Sequence, residues 1–289
     1  MKKIVFCAPS RIYDEHTGGH FSYSSMVDYF SEVGIPAIDM SFDSMAAFDD
    51  AKRGILYAAA QRARARGLTF PSCHLPLYMP NPYNRELMEN FAAEVKRGID
   101  AAAFMGIGIA VMHPIALHST RVSYEEWLDR NIAFLTPICR YATSKRVTIC
   151  IENMASPKES SADHLFGSCA KEIGALAKKL GVQNCWDTGH ASISGLKNSA
   201  EMVKLCGRIA ILHVHDNEGQ GERDSHMVPF EGVADFDDVA EGIKLSGFCG
   251  VLNLEVKASH LPPDREQRKS FGKRIVFAAN RLKRMADLI

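Results

Sequence analysis

The chain reads as an α/β protein folded into one closed (β/α)₈ barrel. Three observations predict this: eight short β-rich apolar runs, stretches of helical spacing between them, and no compositional break or linker along 289 residues. An eightfold strand–helix repeat occupies roughly 250 residues as a single domain, so residues 1–289 are expected to form one unit. An open doubly wound sheet is the rival, but no glycine-rich phosphate loop follows the first run.

Taken in order, the strand-like runs cover 4–8, 37–40, 69–74, 108–113, 147–152, 183–187, 209–213 and 251–255. The first follows Met1-Lys2-Lys3, which begins like a signal peptide. Pro9, Arg11, Asp14 and Glu15 cut short any long apolar stretch, so the segment reads as a strand. Helical spacing fills 85–104 and 124–141, and Leu87, Phe91, Val95 and Ile99 mark one buried face of the former. Trp127, Phe134 and Tyr141 read as packing on the latter, and Trp186 points to the outer side of its strand. Gly34, Gly67, Gly106, Gly181, Gly207 and Gly247 each close a helix ahead of a strand. Phe21, Tyr78 and Tyr83 fall in strand–helix loops, where pocket lining and plain surface exposure are both open.

Composition narrows the function classes. Lys plus Arg and Asp plus Glu are both 34, so no net field draws the chain to nucleic acid or anionic lipid. No apolar run approaches the roughly 20 residues of a membrane helix. The eight cysteines form no C-x-x-C pair and several sit in strand runs, as buried reduced thiols of a cytoplasmic protein would. Nucleic-acid and membrane partners are not expected, and a homo-oligomer is left open.

Chemistry concentrates at strand ends. Glu152, Asp187, His213 and Glu255 each end one of the last four runs. In a parallel barrel those ends converge on the mouth where catalysis is done. Three carboxylates and an imidazole there make an oxygen-rich site for a divalent metal: manganese, magnesium, cobalt or zinc. His74 and His113 end the third and fourth runs, His190 follows Asp187 by three residues, and Asp224 and His226 lie in the loop after the seventh. Nine such groups in one layer need a cation to offset them. His213 and His215 compete for the strand-seven position, because alternation sends both to the same side.

The segments Cys150-Ile151-Glu152-Asn153, Trp186-Asp187-Thr188-Gly189-His190, His213-Val214-His215-Asp216-Asn217 and Leu254-Glu255-Val256 resemble the xylose-isomerase-like TIM-barrel superfamily. Its sugar and sugar-phosphate isomerases and epimerases bind one divalent ion through Glu, Asp, His and Glu at these strand ends. The resemblance implies that metal set for Glu152, Asp187, His213 and Glu255, and selects His213 over His215. It also implies an acid/base pair in Glu152 and Glu255, with His190 orienting a substrate hydroxyl. His74, His113, His215, Arg223 and His226 are the implied contacts to a small carbohydrate or polyol. The chemistry implied is proton transfer beside a carbonyl through an enediolate stabilised by the metal.

Ketose 3-epimerases carry a glutamate and an arginine where this chain has Lys158 and Gly219, which puts a free ketohexose in doubt; Arg223 is the nearest replacement for that arginine. The same barrel resembles the endonuclease IV type of abasic-site nuclease, whose three zinc ions use nine ligand positions. His74, His113, Glu152, Asp187, His190, His213, Asp224, His226 and Glu255 match all nine, which implies further metal sites involving His74, His113, His190, Asp224 and His226. Zero net charge and the lack of a basic stripe favour the isomerase. A metal-dependent lyase or dehydratase shares the enediolate and is a third alternative. A non-catalytic scaffold would need no acid/base pair.

Overall fold

Short strands of period-two alternation close on themselves here, each parallel to its neighbours and paired in chain order: β1 (Phe6–Pro9), β2 (Ile38–Ser41), β3 (Ser72–His74), β4 (Ile109–Met112), β5 (Thr148–Glu152), β6 (Gln183–Asp187), β7 (Ile209–Val214) and β8 (Val251–Leu254). Pairing of β1 with β8 completes the barrel. The computed structural model describes residues 4–13, 22–42, 45–77, 79–156, 163–219, 224–257 and 265–288. The expected (β/α)₈ fold is present, with helices between successive strands.

Helices α1 (Tyr23–Val33), α2 (Asp50–Ala65), α3 (Arg85–Met105), α4 (Tyr124–Ser144), α5 (Ala170–Leu180), α6 (Thr188–Ile193), α7 (Asn198–Lys204), α8 (Phe236–Leu245) and α9 (Arg265–Met285) follow the strands. Side chains of Ser22, Asp49, Asn84, Ser123 and Asp235 cap five of them by accepting first-turn N–H groups. All six helix-closing glycines adopt positive φ, from 63° at Gly247 to 83° at Gly34. The face expected on α3 needs one correction. Phe91, Val95 and Ile99 are buried, but Leu87 is 44% exposed and Met88 takes its place. A strict four-residue spacing drifts about 40° per step around a helix of 3.6 residues per turn, which carries Leu87 off the stripe. Trp127 and Trp186 are fully buried, and Trp186 Nε1 donates to Asn198 Oδ1 at 2.8 Å on the outer layer. All eight cysteines are free; Cys206 and Cys249 are exposed, against the expectation of buried thiols.

Two residues below the mouth on each strand lies a layer that supports the site. Val111, Cys150, Cys185 and Ile211 form an apolar cluster from β4 to β7. On the other side, Cys7 contacts Ser72 and Asn253, and the Ser72 hydroxyl donates to Asp39. Among the described residues no helix is long and apolar enough to cross a membrane.

Candidate active site at the barrel mouth

Strand register sets the site. Asp187 pairs with His213, and His213 with Asn253 two residues before Glu255, so alternation raises the next inward residue of each strand to one level. Ligand atoms of Glu152, Asp187, His213 and Glu255 lie within 4.8 Å of one another, and all four residues are buried. His213 Nδ1 sits 2.8 Å from Glu152 Oε1 and 2.9 Å from Glu255 Oε2. The Cys185 thiol also lies beside its ring. Asp187 Oδ1 accepts the His190 N–H at 2.6 Å as the cap of α6, while its buried Oδ2 accepts no hydrogen bond. An orphaned buried carboxylate oxygen beside two more carboxylates fits a divalent cation.

Electrostatics point the same way. Burial would raise Glu152, but His213 and hydrogen bonds from His113 and His74 hold it well below the usual carboxylate range. Burial opposes Glu255 likewise, and His213 and Arg11 outweigh it. Burial would lower His213, yet Cys185, Glu152 and Glu255 hold it well above the usual imidazole value.

Two further groups flank this set. His74, His113 and Glu152 form one, with His74 Nε2 and His113 Nε2 at 3.1 and 3.2 Å from Glu152 Oε2. His190, His215, Asp224 and His226 form the other. In the second group each imidazole gives its Nδ1–H to a backbone carbonyl: His190 to Asn153 at 2.8 Å, His215 to Asp216 at 3.2 Å, and His226 to Glu255 at 2.6 Å. That fixes the tautomer and turns three Nε2 lone pairs inward, as ligating histidines require. His226 holds a left-handed backbone, φ 47°, to aim its ring. Nε2 of His190, His215 and His226 lies 3.6, 3.6 and 2.7 Å from Asp224 carboxylate oxygens.

His113, Glu152, His190, Asp224, His226 and Glu255 open onto a cavity of about 430 Å³. His74 and His215, expected to touch substrate, are 2% and 0% exposed. They are not among the residues that line the cavity, and each belongs to one of the groups that could hold an ion. Arg223, with Phe21, Tyr78 and Lys158, lies outside the described residues. Three neighbours of the site went unnoticed in the sequence. Arg11 pairs with Glu255, Lys257 lies 3.5 Å from Asp224, and Asn153 clamps β6 by accepting Asp187 N–H at 2.6 Å and donating to Asp187 O at 3.0 Å. Only continuing two residues beyond the strand-end positions, past Pro9 and past Glu255, reaches the first two.

Gly189 shows how tightly the site is packed. A Cβ there would stand 2.1 Å from the His215 ring. Gly189→Ala is therefore expected to displace His215 and cost about 1–3 kcal/mol. Thermal unfolding checks this, and an unchanged Tm would refute the fixed position of the ring.

The family model for the xylose isomerase-like TIM barrel matches residues 27–274, and the chain belongs to that family. An uncharacterized protein of Methanocaldococcus jannaschii, MJ1311, is 28% identical over 192 residues, covering 64% of this chain. The match spans 63% of that relative's length. A D-tagatose 3-epimerase-like protein superposes with TM-score 0.75 at 20% identity, over 99% of this chain and 98% of its own. The IOLI protein, solved with a binding zinc atom, superposes with TM-score 0.73 at 16% identity, over 99% and 98%. These two structures share the fold.

Proposed function

We propose that this chain is a divalent-metal-dependent isomerase or epimerase of a small sugar, sugar phosphate or polyol. The observation that carries the proposal is the convergence of Glu152, Asp187, His213 and Glu255 within 4.8 Å at the floor of an open cavity. The epimerase-like and zinc-binding proteins that share the fold support it. Asp187 Oδ2, His213 Nδ1 and one oxygen from each glutamate would hold the ion. A bound divalent ion supplies Lewis-acid stabilisation of the charge that develops when a proton leaves carbon beside a carbonyl. Glu152 and Glu255 come from β5 and the end of β8, on separate sides of the mouth, and serve as the base and acid that take and return that proton. His190, 6% exposed on the cavity wall, orients a hydroxyl through Nε2 when the His190, His215, Asp224 and His226 group holds no ion. His190, His215, Asp224 and His226 would alternatively hold a second divalent ion, for which three nitrogens and a carboxylate suit zinc.

The test is deuterium incorporation. Metal-loaded protein in D₂O with a panel of aldoses, ketoses and their phosphates should exchange the proton beside the carbonyl of at least one, read by NMR. A second reading, abasic-site nuclease, is supported by the gathering of all nine matching positions, with His215 beside them, into three clusters. No exchange, together with salt-sensitive DNA binding and strand cleavage at abasic sites, would replace the first reading with the second.

A further inference from the structure

Metal-type side chains also gather outside the barrel mouth. His164, Cys169 and Glu172 bring an imidazole nitrogen, a thiol sulfur and a carboxylate oxygen within 4.8 Å of one another where the chain enters α5. None of the three lines the mouth cavity. Cys169 is the N-cap of α5 and Glu172 stands three residues on, the spacing at which two such side chains meet. Ser, Asp or Asn fills the N-cap position of the five capped helices. A thiol is a weak acceptor, so capping does not account for the cysteine.

The group is held in place from several sides. His164 donates its backbone N–H to Ser119 Oγ at 2.9 Å, and its carbonyl accepts the Ser119 N–H at 2.7 Å. The Phe166 ring stands edge-on to the imidazole, with centroids 5.5 Å apart. Glu172, 7% exposed, meets His164 Nε2 at 2.6 Å with one oxygen and accepts the Gly167 N–H at 2.8 Å with the other. Burial and the Glu172 carboxylate push the Cys169 thiol up to about 11.

We infer that His164, Cys169 and Glu172 bind a zinc-class transition ion, with water at the fourth tetrahedral position. Sulfur together with nitrogen selects zinc or cobalt over magnesium and calcium. One thiolate and one carboxylate match the charge of the ion, and the His164 side chain, 42% exposed, leaves a way in for ion and water. Bonds of about 2.0–2.3 Å place tetrahedral ligand atoms roughly 3.5 Å apart, so the imidazole need only draw back from Glu172 by about an ångström. On ligation the sulfur exchanges its proton for the metal, the proton leaves to solvent, and the imidazole keeps its hydrogen on Nδ1. Gly167 carries the effect towards the mouth. Its N–H is held by Glu172, and its carbonyl accepts the N–H of Met154, a residue of the cavity wall, at 2.9 Å. The ion fastens the loop behind that wall.

Cobalt(II) tests the site in place of zinc. The full chain, metal-free and kept reduced by a phosphine, is titrated and read in the near ultraviolet for a thiolate-to-cobalt charge-transfer band, which zinc should bleach. The band is expected in the wild type and in the Cys206→Ser/Cys249→Ser double variant, which lacks the two exposed thiols. Cys169→Ser should lose it and bind one cobalt fewer per chain. In His164→Gln, cobalt affinity read from the band should fall about tenfold or more, since a lost ligand costs at least as much as a lost outer partner. That variant carries the test should Cys169→Ser fold poorly. No band in the wild type overturns the inference, as does unchanged affinity in His164→Gln. A band undiminished in Cys169→Ser also overturns it and assigns the thiolate to Cys185 beside the mouth. Each of these outcomes leaves the reading of the mouth standing, because none of the three residues belongs to it.

Discussion

Replacing Glu152 or Glu255 by glutamine is expected to slow substrate proton exchange by about 10²-fold or more when metal is saturating, the usual scale for a lost general base. Glutamine keeps a ligand oxygen and nearly the same volume but cannot carry the proton. At position 152 the environment accepts the amide. His74 gives its Nδ1–H to Leu75 O at 2.7 Å, and burial lowers its pKa once the Glu152 charge that raises it is gone, so its Nε2, 3.1 Å from Glu152 Oε2, can lose its proton and take an amide hydrogen. Metal affinity falls in both variants with the loss of an anionic ligand, which is why the measurement needs excess metal. His190→Ala should differ, weakening KM for substrate with the main ion still bound. Full exchange in both glutamine variants would reduce the carboxylates to ligands, and the proton would then pass through another group on the cavity wall, with His113 and His190 the first to test.

Much of this site was legible because a strand of period two ends in a side chain whose level is fixed by register. Glu152, Asp187, His213 and Glu255 each close an apolar run, and parallel pairing leaves their ends nowhere else to go. The limits are as physical as the successes. His213 and His215 share a strand face, so periodicity cannot separate a ligand facing Glu152 and Glu255 from one facing Asp187 and Asp224; only packing against Gly189 and a hydrogen bond to Asp216 place the second ring. Arg11 escaped notice because it lies in a short 3₁₀ turn (Ser10–Tyr13) after β1 rather than at the end of an apolar run. Leu87 was misassigned because residue spacing does not record accumulated rotation around α3.

Adding manganese or zinc to metal-free protein is expected to raise Tm on the order of 10 °C. Without an ion, Glu152, Asp187 and Glu255 stand together at 1%, 0% and 4% exposure, with the His213 imidazolium between the two glutamates. Removing carboxylates from water is costly, and one proton offsets them poorly. A divalent ion would replace that proton and satisfy Asp187 Oδ2. An ion at a thousand times its Kd stabilises the native state by about 4 kcal/mol, which at roughly 2–4 °C per kcal/mol gives the stated shift. The pH dependence has a definite sign. His213 is held protonated well above its ordinary range, and Nδ1 must lose its proton to ligate, so the metal-induced shift should grow as pH rises through neutrality and shrink in acid. Asp187→Ala and His213→Ala should each abolish most of it, with circular dichroism confirming that the barrel is intact. A shift undiminished in both variants would place the ion elsewhere, at the His190, His215, Asp224 and His226 group first. No shift with manganese, cobalt, magnesium or zinc would mean that these four side chains form a proton-stabilised cluster rather than a metal centre.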